Sequence, residues 1–132
     1  MEGRMSTAPT QLRRTDQIQD ILRGLRTSSS EVIGAAIVSA EGFTAASLLP
    51  SEVDEEVVAG MGAALLGVAE RIARELMRAD MVQTYVRSTN GYIILNQVGD
   101  DAVLVVLTTE HAKLGLVFLD IKRRIPDLLR LL

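Results

Sequence analysis

The chain has 132 residues, of which 48% are apolar and 23% charged, with 14 basic and 17 acidic side chains and no cysteine. This length predicts one domain, because it allows one hydrophobic core but not two. The absence of cysteine excludes disulfides and thiolate-bound metals, and a single histidine excludes a multi-histidine site. We therefore expect no metal and no other cofactor. The net charge of −3 and the four aromatic side chains also argue against nucleic-acid binding.

The hydropathy pattern argues against a membrane protein. No stretch reaches the roughly 18–20 uncharged apolar residues that a spanning helix requires. The start, Met1 to Arg14, lacks the apolar core of a secretion signal, so we expect a cytoplasmic protein. The mean hydropathy of +0.23 is nevertheless high for a small domain, which predicts that some apolar surface contacts another chain.

The first elements in chain order are an arm, a helix and a hairpin. Residues 1–11 lack periodicity and are predicted to form a mobile N-terminal arm ahead of a domain of residues 12–132. A helix is predicted from an N-cap at Thr15 to about Arg26, since apolar residues recur there at helical spacing. Val32 to Val38 and Phe43 to Ser47 flank Glu41-Gly42 and are predicted to pair as a hairpin.

A second helix is predicted to begin near Pro50 and Asp54, where acidic residues complement the helix dipole, and to end near Arg78. Three strands follow, with turns at Asn90-Gly91 and at Gly99 to Asp101. A last helix is predicted from Leu114, with Pro126 interrupting or kinking it. The order α-β-β-α-β-β-β-α indicates an α+β domain built on one five-stranded, mainly antiparallel sheet.

The second helix has more apolar surface than one sheet needs to cover. Val57 to Ala69 contains no charged or hydrogen-bonding side chain. One stripe of large side chains is predicted to cover the sheet, namely Val57, Val58, Met61, Leu65, Val68, Ile72 and Leu76. The opposite side carries Ala59, Gly60, Ala63, Leu66 and Gly67 instead of polar residues. We therefore expect a second buried face.

Three glycines in this helix each cost roughly 1 kcal/mol relative to alanine. One interpretation is that Gly60, Gly62 and Gly67 let another backbone approach closely, from a second helix or a partner protein. The alternative is that they only seat the helix on its own sheet.

The strand Met81 to Ser88 alternates polar and apolar residues, which indicates a sheet edge. Such an edge either pairs with another chain or stays solvated, protected by Gln83 and Arg87.

Two groups of charged residues are more typical of structural or surface positions than of a functional site. His111 beside Glu110 is more typical of a capping or surface residue than of a catalytic base. Lys122, Arg123 and Arg124 are typical of a solvated helix end, although an acidic partner or anionic lipid is an alternative.

The whole pattern resembles the Roadblock / dynein light chain superfamily, in particular its bacterial MglB-like members. The features that carry the resemblance cover about Leu12 to Leu132: Val32 to Ser39 with Glu41-Gly42, the small-residue helix Asp54 to Arg78, Asn90-Gly91, Ala102 to Leu107, and Leu114-Gly115-Leu116. None of them is a catalytic signature, so we expect no enzyme.

The resemblance implies a homodimer in which the strand Met81 to Ser88 pairs with its copy and the two second helices pack side by side. The implied dimer interface consists of Leu66, Met81, Gln83, Tyr85, Val86 and Arg87. It also implies a Ras-like, MglA-like small GTPase as partner, whose hydrolysis is modulated by moving its switch regions and not by an arginine finger. The implied partner-binding positions are Ala59, Gly60, Ala63, Ala64 and Gly67, with a charged rim of Glu70, Arg71 and Arg74.

Two functions stay open at this point. The chain is either a GTPase regulator or a structural dimerisation or scaffold subunit of a motor or signalling complex that leaves nucleotide turnover unchanged.

Overall fold

The computed structural model describes the backbone of residues 2–132 and the side chains of residues 13–132. The elements are α1 (Glu2–Ser28), β1 (Val32–Ser39), β2 (Thr44–Leu48), α2 (Glu55–Met77), β3 (Gln83–Ser88), β4 (Gly91–Val98), β5 (Ala102–Thr108) and α3 (Leu114–Leu131). The strands form one antiparallel sheet in the order β2-β1-β5-β4-β3. The predicted fold class and element order are confirmed.

Helix α1 is longer than the predicted first helix. Thr15, the expected N-cap, lies inside the helix. The apolar positions Ile18, Leu22 and Leu25 are buried, as their spacing predicts. The predicted mobile arm of residues 1–11 lies outside the residues described with side chains and stays a prediction.

Helices α1 and α3 cover one face of the sheet. Leu22 and Leu25 of α1 and Ile121 of α3 are fully buried in one cluster with Ile37 and Ile94 of the sheet. Helix α2 covers the opposite face, over a second cluster that contains Ala36, Val38, Leu95 and Val103. The molecule therefore has three layers, and the central strands β1 and β5 are buried on both faces.

Helix α3 continues through Pro126 to Leu131, so the expected interruption does not occur. Ile121 and Leu128, on either side of the proline, are both fully buried. Their packing holds both halves of the helix on the sheet and offsets the lost backbone hydrogen bond.

The hairpin β3–β4 is present, but its turn differs from the prediction. Ser88 pairs with Gly91, so Thr89 and Asn90 are the central turn residues. Gly91 has φ +152°, and a Cβ there would lie 1.9 Å from the Thr108 carbonyl oxygen. The glycine is required by the close approach of β5 and not by the turn.

Candidate functional site: an apolar helix beside an open sheet edge

Helix α2 faces the sheet with its small residues. Its N-cap is Asp54, whose carboxylate accepts a hydrogen bond from the Glu56 amide at 2.9 Å. From there the helix packs mainly over β1, β2 and β5. Its buried residues are Ala59, Gly62, Leu66 and Ala69.

Gly62 sets the distance between α2 and the sheet. A Cβ at this position would lie 3.3 Å from Cγ2 of Val105 on β5. The interpretation that the glycines seat the helix on its own sheet is therefore correct for Gly62. Around Gly60 and Gly67, by contrast, a Cβ would meet no atom within 4 Å.

The prediction that the large apolar stripe covers the sheet is wrong. Met61 is 70%, Ile72 54% and Leu76 74% exposed, and only Val58 and Leu65 of the stripe are half-buried. Helix α2 has two apolar sides, and either could pack on the sheet. The side with small residues lets the helix backbone come closer to the strands, which gives more dispersion contacts. The large side chains are left on the outside.

We call Met61, Leu65, Val68, Ile72 and Leu76 the large-residue flank of α2. Met61 and Leu65 of this flank line an apolar groove of about 450 Å³, whose other wall is the uncovered part of the sheet. This wall includes Val86 of β3 and Ile93 of β4. The groove is open because α2 lies over the other half of the sheet.

Two ion pairs accompany the exposed apolar surface of α2. Arg71 lies 3.4 Å from the Glu75 carboxylate, and Arg74 lies 3.2 Å from that of Glu70. Both pairs have the i, i+4 spacing of a helix surface and add little to stability. The charged side chains next to the apolar flank are therefore each paired with an opposite charge.

We call Gly60, Ala63 and Gly67 the small-residue flank of α2. These positions lie at helical spacing on the side that faces the β1–β2 turn, where a Cβ on Gly42 would lie 3.9 Å from Cβ of Ala63. Since Gly60 and Gly67 are exposed, another molecule can approach the helix backbone here.

Strand β3 is one edge of the sheet, and its unpaired backbone groups can be identified. The Gln97 amide donates to the Val82 carbonyl at 2.9 Å. Because hydrogen-bonded pairs alternate in an antiparallel ladder, Gln83, Tyr85 and Arg87 direct their N–H and C=O groups away from β4. This edge presents a regular set of donors and acceptors.

Strand β2, the opposite edge, is partly covered. Gln19 of α1 donates from Nε2 to the Ser47 carbonyl at 2.6 Å. The Ser47 hydroxyl donates to the Glu55 carboxylate at the start of α2. These contacts occupy β2, so β3 is the more accessible edge for another strand.

The side chains on one face of β3 belong to an aromatic cluster. The ring centre of Tyr85 lies 6.0 Å from that of Tyr92 and 5.9 Å from that of Phe118. The Arg87 guanidinium lies 5.9 Å from the Tyr92 ring centre. Tyr85 remains 47% exposed in spite of these contacts, so part of this face of β3 stays open.

Across residues 2–132, no helix is both long and apolar enough to span a bilayer. Among residues 13–132, whose side chains are described, no group of three or more histidine, aspartate or glutamate side chains is arranged to hold a metal ion.

Comparison with known proteins identifies the fold family. The family model for the Roadblock/LC7 domain matches residues 18–108. The chain belongs to the Roadblock/LC7 family. The match extends from α1 to the end of β5 and so includes both α2 and the β3 edge.

The relatives of this Roadblock/LC7 chain support the assignment. The uncharacterized protein MJ0310 of Methanocaldococcus jannaschii is 37% identical over 90 residues, which are 68% of this chain and 78% of the relative. Among solved structures, an MglB with tetrameric arrangement has a TM-score of 0.82 at 20% identity and 89% coverage of both chains. Myxococcus xanthus MglB has a TM-score of 0.81 at 20% identity, covering 88% of this chain and 87% of the other. These identities show a shared fold.

Most of the expected partner-binding residues lie on the outer surface of α2 in this Roadblock/LC7 domain. Gly60, Ala64, Gly67, Arg71 and Arg74 are exposed, while Ala63 and Glu70 are half-buried. Ala59 is 2% exposed and packs on its own sheet, so no partner reaches its side chain in this arrangement.

The expected dimer residues also fall into an accessible group and a buried group. Tyr85, Val86 and Arg87 are exposed on β3, and Gln83 is half-buried with its amide donating to Asn96 at 3.0 Å. Leu66 and Met81 are buried within their own chain, because α2 turns the Leu66 side towards the sheet and Met81 packs in the same cluster.

The residue pattern predicts that Met61, Ile72 and Leu76 cover the sheet, and it indicates no functional role for Phe43. Phe43 lies in the β1–β2 turn and is 71% exposed. The periodicity of α2 indicates two apolar faces, but it does not indicate which of them packs on the sheet. The exposure of Phe43 is harder to predict, because an aromatic residue next to Glu41-Gly42 is also typical of a buried strand position.

Proposed function

We propose that this chain is a non-catalytic, homodimeric regulator that binds a Ras-like small GTPase and modulates its GTP hydrolysis in the cytoplasm. One observation carries the proposal: an open strand edge lies beside an exposed apolar helix in a Roadblock/LC7 domain. The resemblance to MglB-like proteins supplies the class of partner.

The dimer of this proposal forms through β3. Two copies of β3, related by a two-fold axis, pair antiparallel through the outward groups of Gln83, Tyr85 and Arg87. The same axis brings the large-residue flank of each α2 towards the groove beside Val86 of the other copy. The proposal is supported by the continuity of strand edge, groove and flank, since one contact then covers all three.

The GTPase contacts the part of α2 that this dimer leaves exposed, namely the small-residue flank with Ala64 and the charged rim. Arg71 and Arg74 are each paired with a glutamate. These exposed ion pairs are weak and do not by themselves decide how the rate of hydrolysis is changed. The resemblance to MglB-like proteins favours repositioning of the switch regions of the GTPase over donation of an arginine finger.

Two measurements test the proposal. Light scattering coupled to size-exclusion chromatography should give the mass of a dimer at micromolar concentration. Phosphate release should then be measured for small GTPases of the same organism with and without the chain, and we expect the rate to change. A monomer, or the absence of any GTPase that binds, would contradict the proposal. Binding without a change in rate would indicate the scaffold function instead.

A matched pair of variants locates the contact. Gly67→Arg places a long cation on the small-residue flank, and we expect GTPase affinity to fall by about tenfold or more while the dimer mass is unchanged. Leu116→Arg makes the same kind of change at an exposed position of α3, on the other side of the sheet, and should leave the affinity unchanged.

A further inference from the structure

Phe43 is the most exposed aromatic residue of residues 13–132. It is 71% exposed in the β1–β2 turn, whereas Tyr85, Tyr92 and Phe118 contact one another. Aromatic side chains that fill a partner's pocket are a typical source of binding energy in protein interfaces. An exposed phenylalanine of this kind is a candidate contact residue.

The backbone around Phe43 is held in place. Its carbonyl accepts a hydrogen bond from the Ser39 amide at 2.8 Å, and its amide donates to the Ser39 hydroxyl at 3.0 Å. The Gly42 amide donates to the Ser39 carbonyl at 3.0 Å, and Gly42 has φ +93°, a conformation that favours glycine. The turn therefore presents the ring with little backbone freedom left to lose on binding.

Phe43 lies beside the small-residue flank of α2. The preceding residue, Gly42, is adjacent to Ala63, and Gly60 and Gly67 are open to approach on the same side of the helix. A partner that rests on this flank therefore reaches the β1–β2 turn as well.

Carboxylates lie in the same turn as Phe43 and in the turn bonded to it. Glu41 precedes Phe43 by two residues, and the Ala40 amide donates to the Asp101 carbonyl at 2.9 Å, which joins the β1–β2 turn to the β4–β5 turn. Together the two turns carry Glu41, Asp100 and Asp101, all exposed, and no basic side chain. We call these three carboxylates the acidic rim. A partner surface that complements it carries positive charge.

The surface is also separate from the β3 edge. Phe43 precedes β2, which lies four strand spacings from β3, or about 19 Å at ~4.8 Å per strand. A molecule at Phe43 and a second copy at β3 can therefore be bound together.

We propose that Phe43 is the anchor of the contact with the GTPase, inserting into an apolar pocket of that protein ringed by lysine or arginine side chains. This inference rests on the proposed function and adds a residue and a partner chemistry to it. The acidic rim of Glu41, Asp100 and Asp101 accelerates association with the basic surround, and the ring supplies affinity once docked.

The test compares variants of the full chain for binding to the small GTPase whose phosphate release the chain alters in the assay proposed above, loaded with a non-hydrolysable GTP analogue. Phe43→Ala should raise the dissociation constant by about tenfold or more, mostly through faster dissociation. The double variant Glu41→Gln with Asp100→Asn should slow association and reduce its dependence on salt. Leu116→Ala, which truncates a side chain on α3 that is 63% exposed, should leave both rates unchanged.

The outcomes are distinguishable. Phe43→Ala binding with the wild-type dissociation constant, while the wild-type chain binds the GTPase, overturns this inference and leaves the proposed function standing. A change in dimer mass on Phe43→Ala assigns the residue to contacts between copies of this chain and also overturns it. If the wild-type chain binds no GTPase, the proposed function and this inference both fail.

Discussion

Three glycines of one helix provide an internal test of how α2 is seated. Gly60 and Gly67 lie on the exposed side of α2, while Gly62 lies against the sheet. Changing each to alanine alters the same helix by the same single methyl group. The three variants therefore differ in what the methyl group meets.

The expected magnitudes follow from the geometry. In an exposed helix interior, alanine is favoured over glycine by about 1 kcal/mol, so Gly60→Ala and Gly67→Ala should each raise the free energy of unfolding by about that amount. At Gly62 the new Cβ would lie 3.3 Å from Cγ2 of Val105, which is nearly fully buried in β5. Overpacking of a well-filled core costs about 1–3 kcal/mol, so Gly62→Ala should be neutral or destabilising by up to about 2 kcal/mol.

Denaturant unfolding followed by circular dichroism measures these differences, at one chain concentration because a dimer's stability depends on it. We expect Gly60→Ala and Gly67→Ala to unfold about 4 °C above wild type in thermal scans, and Gly62→Ala at or below it. Equal stabilisation by all three variants would refute the orientation of α2 described above. If the small-residue flank binds a partner, Gly60→Ala and Gly67→Ala should in addition weaken that binding while stabilising the fold.

Other predictions concern the strand edge, the apolar flank and the contact between α1 and α3. Arg87→Pro removes an outward N–H from β3 and leaves the hydrogen bonds to β4 in place, so the dimer dissociation constant should rise by about tenfold or more in sedimentation experiments; an unchanged dimer would exclude this edge. Ile72→Asp puts a charge on the large-residue flank and should also dissociate the dimer while the chain stays folded by circular dichroism, because the side chain is 54% exposed in the single chain. Asp120→Ala removes the carboxylate that accepts hydrogen bonds from Arg124 and from the Ser28 hydroxyl, and should lower the free energy of unfolding by about 1 kcal/mol in denaturant titration, with no change in dimer mass.

The fold could be predicted from the sequence because local signals agree with one another along most of the chain. Ile18, Leu22 and Leu25 recur at the helical period and are buried, and the run Ala102 to Leu107 is the central strand its composition indicates. The predicted interruption at Pro126 is wrong, because the sequence shows only the local cost of a proline inside a helix. The packing of Ile121 and Leu128 that offsets this cost depends on the whole fold.

The candidate site was predicted only in part. The alternation along β3 correctly separated Tyr85 and Arg87 from Val86, since a strand has one unambiguous period. For α2, the residue pattern left two apolar faces of similar extent. The choice between them depends on the distance at which the helix packs on the sheet, which is set by the contact of Gly62 with Val105 and is not visible in either element alone.

The seating of α2 links the fold to the proposed function. A helix that turned its large side chains inward would stand further from the sheet and expose mainly glycine and alanine, with Leu66 as the one large side chain, and would offer less apolar area to a second chain. With Gly62 and Ala59 inward, the same helix packs closely and carries Met61, Ile72 and Leu76 on its outside. The exposed apolar area is therefore a direct consequence of the small residues at the helix–sheet contact. A single chain leaves that area in water, whereas the proposed pairing of two β3 edges would cover it, which gives the apolar flank a physical reason to belong to a dimer.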